Sequence, residues 1–498
     1  MIHGTGNRFF GSIRFGRCIS AGALMIVASI AHAADISKHI VRTSIAGIDV
    51  IAYPTGIKDV VTIAGALPAG DALATDNIAI ASLTGMMLDK GTESMDKFAV
   101  AKQLDEVGAQ LRFSVGEQAL SIRARSLKAD LPLVLRIMAD ELRHPAFSAE
   151  EFAKAKIEFS GAIQQRTDST EYRAGEAFSR AVFPAGHPNR QPSLDEWHGA
   201  IDKASAAELK KFHRQFYGPA HMVLVLAGDL DIPKIQAEIK RDFGGWSGGA
   251  AYRSAPKATA SSAPVDHVVF LAAKTSVTVL AGEATGLQYR DADSLPLRLG
   301  MAIFGNGFTS RLMSTVRDKE GLTYHIGASV ADDTFDDGDW RINATFAPSL
   351  LDKGMASTQR ELQRWWKDGV TLPELEARKT DLVGSFQVGL ATTDGMAGTL
   401  LSTVQRGLPL SWIDEYPHSV ERVTLDQVNG AIRRYVDPAK LVIIRAGSVG
   451  ADAAASRKFD APGASVGGTD GGAVDGDERA CWLRSARPGC CGRAALAP

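Results

Sequence analysis

Few groups in this chain have the type and spacing that chemistry requires. Glu141 and His144 stand three residues apart in DELRHPAF, a spacing that puts a carboxylate and an imidazole on one helical face, where both can reach a metal. The same residues read more simply as a partly exposed polar pair closing a helix ahead of a Pro-Ala-Phe turn. His187, in AGHPNRQPS, reads as an ordinary polar loop histidine. Arg317 and Tyr324 lie seven residues apart, a spacing that says little by itself. Gly305 and Gly307 lack the G-x-G-x-x-G pattern and follow the helix-like run Leu295 to Ile303 rather than a strand, so a phosphate cradle is not expected. Thiol chemistry is excluded from the body, because Cys18 sits near the N-terminus and Cys481, Cys490 and Cys491 fall in the last eighteen residues.

The elements that must position such groups repeat once. Pro219 to Val223 ahead of Ala227-Gly228 return as Pro438 to Val442 ahead of Ala446-Gly447, 219 positions later. At the same offset Ser205 falls on Thr424, Leu209 on Val428 and Phe216 on Tyr435. Each set reads as an N-cap followed by the apolar face of a helix that feeds a strand. Between the copies, Gly248 to Pro264 is rich in Gly, Ser, Ala and Pro without apolar periodicity, as a linker would be. The expected organisation is a domain over 40–245, a linker over 246–265 and a second domain over 266–450. Within them Ile48 to Ala52 and Val60 to Ala66 read as strands, and Asp96 to Val107 and Leu131 to Leu142 as amphipathic helices. The fold class is α+β, with strands and helices interspersed.

The flanks differ in kind. Residues 1–33 carry Arg8, Arg14 and Arg17, an apolar run from Ile19 to Ile30, and Ala31-His32-Ala33. That is the pattern of a signal peptide cleaved near Ala33, and it predicts export to the periplasm. Residues 451–498, rich first in Gly, Ala and Asp and then without periodicity, read as a disordered tail. No stretch after residue 33 is apolar enough to suggest a membrane span. Across 498 residues, 55 basic groups face 57 acidic ones, with 45% hydrophobic residues. Such a chain can bury a sizeable core, and its balance argues against nucleic acid or an anionic membrane as partner.

Two stretches carry a resemblance. Asn77 to Thr92, NIAIASLTGMMLDKGT, is similar to the helix of pitrilysin/insulinase-like (inverzincin) zinc peptidases, in which H-x-x-E-H is followed shortly by Gly-Thr. Anchored on Gly91-Thr92, its three positions are held here by Ser82, Gly85 and Met86. The chemistry needs two imidazoles to hold zinc and a carboxylate to deprotonate its water, and none is present. The family's third ligand, a downstream glutamate, falls in AKIEFSGAIQQR on Ala162, with Gly161 beside it and Glu158 a turn away. Gly305 to Ala328, GNGFTSRLMSTVRDKEGLTYHIGA, resembles the family's G-x-x-S-R-L…R-x-K-x-G-L-x-Y signature. Ser310-Arg311-Leu312, Gly321-Leu322, Arg317 and Tyr324 match it.

The resemblance covers roughly residues 40–450. It implies two homologous α/β-sandwich domains, like those of mitochondrial processing peptidase, in a clam-shaped chain. It also implies a role for Arg317 and Tyr324, which in the family hold the substrate backbone and the developing oxyanion. With the metal half of the site missing, the expectation is no cofactor in this chain and zinc in a partner. That partner would be a catalytic pitrilysin-like subunit with an intact motif, and the two would enclose a peptide substrate. A non-enzymatic scaffold or peptide-binding protein of the same fold is the alternative. A standalone hydrolase is disfavoured by the loss of every ligand.

Overall fold

The computed structural model describes residues 36–261 and 263–449. The expected signal peptide, the four cysteines and the expected tail lie outside the described residues.

The first half runs β1 (Val41–Ile45), β2 (Ile48–Pro54), β3 (Val60–Leu67), α1 (Ala79–Met86), α2 (Lys97–Glu106), β4 (Gln110–Val115) and β5 (Leu120–Leu127). It continues through α3 (Leu131–Arg143), α4 (Ala149–Thr167), α5 (Thr170–Val182), α6 (Leu194–Lys203), α7 (Ala206–Phe216), β6 (Val223–Gly228) and α8 (Ile232–Phe243). The second half has β7 (Val265–Phe270), β8 (Val277–Ala284), α9 (Ser294–Gly305), a π-helical segment Met313–Lys319, β9 (His325–Ala331) and β10 (Asp339–Phe346). After these come α10 (Leu351–Asp368), α11 (Leu372–Leu390), α12 (Thr393–Gln405), α13 (Trp412–Arg422), α14 (Leu425–Tyr435) and β11 (Val442–Gly447). The sequence-predicted elements are all present, with ends displaced by a residue or two.

Two sheets result, ordered β1-β2-β6-β3-β5-β4 and β7-β11-β8-β10-β9. Apart from β1 they match strand for strand: β2 with β6 and β7 with β11 are parallel, and every other neighbouring pair is antiparallel. The 219-residue offset reappears as geometry. α7 and α14 both open with capping boxes, Ser205 with Glu208 and Thr424 with Gln427, which close two orphan helix donors each. Gly228 and Gly447, ending β6 and β11, adopt φ of 143° and 147°, and a Cβ at Gly228 would meet the Val60 carbonyl oxygen at 2.1 Å.

Alternation along the central strands buries both faces of each sheet. Val61, Ile63 and Leu67 of β3 and Leu224 and Leu226 of β6 face a core that includes α3, α7 and α8. Ala64 and Ala66, with Val223, Val225 and Ala227, face the other way, against Met396, Ala397, Leu400 and Leu401 of α12. A helix of the second half thus covers the first sheet. The converse holds too: Ala174, Phe178 and Val182 of α5, spaced four apart, pack on Leu280, Ala284, Val442, Ile444 and Ala446 of the second sheet. Paired threonine hydroxyls mark both seams, Thr62 to Thr393 at 2.8 Å and Thr278 to Thr170 at 2.9 Å.

The predicted linker is fastened at several points along its length. Gln118 bonds the Arg253 backbone through both amide atoms, Tyr252 packs on Phe335 at 4.6 Å, and the Ala258 N–H donates to Asp337 at 2.8 Å. No helix among the described residues is long and apolar enough to cross a membrane.

Candidate functional site

Ser82, Gly85 and Met86 share α1, a short helix that packs on α4, the helix bearing Ala162. The elements meet, but their side chains do not form a metal site. The Ser82 hydroxyl donates to Asp71 Oδ1 at 3.0 Å. A Cβ on Gly85 would lie 2.4 Å from Val115 Cγ2 of the edge strand β4, closer than real atoms approach, so β4 has closed over the position where the base would stand. Met86 packs on the core, and Ala162 is exposed without a donor atom. Zinc needs three or four nitrogen, sulfur or carboxylate ligands, and this set supplies none; among the described residues no group of three or more His, Cys, Asp or Glu could hold a metal.

Glu141 and His144 do not form the partly exposed pair expected of them. Glu141 is buried while His144 is exposed, and burial first, then the charges of Asp89 and Asp140, push the Glu141 carboxyl up to about 8. His187 lies in a loop, as read, but that loop buries it. It is 3% exposed, stacks on Phe183 at 4.7 Å, accepts the Asn189 N–H at Nδ1, and faces Asp337 across 3.4 Å. Asp337 belongs to the acidic β9–β10 connection, whose other carboxylates are answered by Gln118, Arg298 and Arg341. His187 therefore joins the two halves.

In the second half Arg317 and Tyr324 come together. Arg317 lies on the π-helical segment, a winding often found at functional positions. Its guanidinium sits 5.3 Å from the centre of the Tyr324 ring and 5.4 Å from that of Phe308. Tyr324 is 86% and Phe308 74% exposed, so a planar cation is held among rings that face solvent, an arrangement worth about 0.5–1 kcal/mol at such sites. Tyr324 directly precedes β9, the edge of its sheet, whose outer backbone groups can accept an extended chain. Arg311, from the same signature, has a different task. It grips Glu374 through two bonds of 2.7 and 2.8 Å, and Glu374 also caps α11 through Thr371. Those hydrogen bonds, Arg311 first, bring the Glu374 carboxyl down to about 2.

Two features escaped sequence reasoning. Phe308 sits in the variable gap of the signature, with only its aromatic character as a signal. Asp71, in PAGDALATDN, carries no motif, yet it lines a cavity of about 1140 Å³ together with Ser82, Glu117, Phe159, Arg166 and Tyr172.

Comparison with known proteins points to one peptidase family. Residues 203–382 match the family described as Peptidase M16 inactive domain. An uncharacterized zinc protease of Mycobacterium tuberculosis is 26% identical over 361 residues, covering 70% of this chain and 79% of its own length. A protein named non-peptidase homolog YmxG, from Helicobacter pylori, is 22% identical over 376 residues, covering 74% and 84%. Among solved structures, a peptidase M16 inactive domain from Pseudomonas fluorescens superposes with a TM-score of 0.76 at 22% identity, covering 82% of this chain and 97% of that one. The periplasmic protease PqqL from Escherichia coli gives 0.68 at 14% identity, covering 88% of this chain and 49% of its own.

Proposed function

The chain belongs to the pitrilysin/insulinase-like (M16) peptidase family, and from that premise we propose that it is a non-catalytic subunit that holds peptide for a zinc-bearing partner. The observation that carries the reading is an asymmetry. The positions of the metal half hold Ser82, Gly85, Met86 and Ala162, with β4 closed over Gly85, whereas half-buried Arg317 and exposed Tyr324 stand together beside an edge strand. A guanidinium and a phenol so placed suit a peptide carbonyl: both donate, and each gains strength as the oxygen takes on charge. β9 offers backbone pairing to the same peptide. Hydrolysis belongs to the partner, a family member with H-x-x-E-H intact, and the zinc is that partner's. The leader-like residues 1–33 put the pair in the periplasm, with the N-terminus of the mature chain just after Ala33.

The test is reconstitution with a zinc-bearing family member from the same source, followed by a peptide-cleavage assay. Arg317→Ala leaves assembly intact and lowers cleavage by about 100-fold, the scale on which one oxyanion donor acts. Unchanged turnover would sink this reading in favour of a scaffold or peptide-binding protein. Elemental analysis of the isolated chain should find no stoichiometric zinc, and the mass of the protein recovered from the periplasm should begin after Ala33.

A further inference from the structure

Arginines on the strands of this fold are answered by carboxylates, with one group excepted. Arg42 of β1 holds Asp49, Arg341 of β10 holds Asp332 and Asp339, and Arg445 of β11 holds Asp266. Arg112 of β4 and Arg123 and Arg125 of β5 are exposed. None of these three has an ion-pair or hydrogen-bond partner among the described residues, Asp394 in the first turn of α12 included. They are also gathered. Arg112 stands directly opposite Arg123, and Arg125, opposite Gln110, is its diagonal neighbour. Directly opposite side chains share a face about 5 Å apart, and like charges so placed destabilise a sheet. The face is the one that α12 covers farther in, since Arg123 lies opposite Ala64 of β3, which packs against α12. The Arg123 guanidinium reaches that helix at Gly398, where an added Cβ would meet Nη1 at 3.5 Å. Charges on an edge strand can serve to keep other strands away, which would account for Arg112. Arg123 and Arg125 sit on β5, which is paired on both sides, and that purpose does not reach them.

We propose that Arg112, Arg123 and Arg125 form a docking surface for an acidic segment of a partner protein, whose carboxylates neutralise them. The guanidinium fork matches a carboxylate through two parallel bonds. Arg123 and Arg125 are two residues apart on one strand, about 7 Å, which is also the repeat of alternate side chains in an extended chain. A segment with an acidic residue at every second position therefore meets successive arginines. A second copy set face to face on the patch would double the like charge instead of cancelling it. Residues 451–498 of this chain carry six acidic and six basic groups, a balance that does not make them the acidic segment. None of the three arginines lines the cavities at Asp71 and Gln405, so the surface suits a chain lying on it rather than a small anion enclosed by it. With a formal charge of -2 over the whole chain, no long-range field draws in nucleic acid or an anionic membrane. The surface belongs to the first half and does not rest on the partner-subunit reading, which concerns Arg317 and Tyr324.

The experiment is calorimetric titration of the full chain carrying Arg317→Ala, so that the peptide-holding pair proposed above adds nothing to the signal. The probes are two extended peptides capped at both ends, an alternating Glu-Ala dodecamer and its Gln-Ala counterpart. The acidic probe binds and the neutral one does not, and its affinity falls several-fold between about 50 and about 200 mM sodium chloride as screening grows. Arg123→Gln weakens binding about 3-fold, the scale of one exposed ion pair, and replacing all three arginines by glutamine removes detectable binding. A second readout needs no probe. In the parent chain Arg123→Gln raises the melting temperature by about 1 °C, because it removes one of two opposed like charges. Absence of binding by the acidic probe, equal binding of both probes, unchanged binding by the triple variant, or a melting temperature that fails to rise overturns the proposal. Three further outcomes overturn it by naming another occupant. Tighter binding of tripolyphosphate than of the acidic probe makes the surface a phosphate site, and tighter probe binding by a chain ending at residue 450 assigns it to residues 451–498. A dimer in gel filtration that the triple variant dissociates assigns it to a second copy.

Discussion

On the proposed reading the metal half lacks more than its ligands, and Gly85 is the reason. A side chain there must displace Val115 Cγ2, which would lie 2.4 Å from its Cβ, and overpacking of this kind costs about 1–3 kcal/mol. Restoring the motif by Ser82→His, Gly85→Glu, Met86→His and Ala162→Glu should therefore lower the melting temperature and leave zinc sub-stoichiometric in a metal titration. Adding Val115→Ala should recover part of both; stoichiometric zinc in the fourfold variant alone would show that β4 yields freely. Arg311 and Glu374 give a second prediction, in pH. The folded Glu374 carboxyl, at about 2, lies below the ordinary value of about 4.3. Its contribution is therefore present above pH 4–5 and fades as the pH falls toward 2. Thermal melts from pH 5 to pH 2.5 should show Glu374→Gln starting lower than the parent and falling less steeply. At this scale the sequence made legible what a motif carries: it singled out Arg317 and Tyr324, whose side chains are neighbours in the structure. It concealed Phe308, which falls in the variable gap of the signature, and Asp71 and the burial of His187, whose neighbours Glu117, Arg166 and Asp337 are distant in the chain.

At the scale of the element, helices were legible as amphipathic stripes but not as to which sheet they serve. The apolar stripe Ala174, Phe178, Val182 marks α5 as a helix with one buried face; nothing in it says that this face meets β8 and β11 of the other half. Periodicity reports that a face is buried, and the covering surface is settled by topology. Phe178 is 1% exposed, so Phe178→Ala should cost about 3–5 kcal/mol. Hydrogen exchange should register the damage in β8 and β11, in the second half, although the substitution lies in the first. Loss of protection confined to β2, β3 and β6 would refute this assignment. Repeated strands and the capped helices α7 and α14 were readable at one offset because each is local. The tethers of the linker at Gln118, Phe335 and Asp337 were not legible, since all are long-range.

At the scale of the whole molecule, the two sheets are not independent folding units. A fragment of residues 36–245 lacks α12 and α13, and so leaves Ile51, Ala64, Ala66, Val223, Val225 and Ala227 without the side chains that cover them. An exposed apolar sheet face of that extent favours association. Expressed alone, this fragment should be insoluble; expressed together with residues 264–449, both should be recovered as one soluble complex, judged by co-elution in gel filtration. A soluble, cooperatively melting first fragment would contradict the argument. The exchange of α5 and α12 also has a consequence for descent. Each half writes part of its neighbour's interior, so after duplication the copies could not drift apart as two free genes might. A change on β3 or β6 is judged by selection against a helix encoded more than a hundred codons away, and each copy inherits a veto over the other.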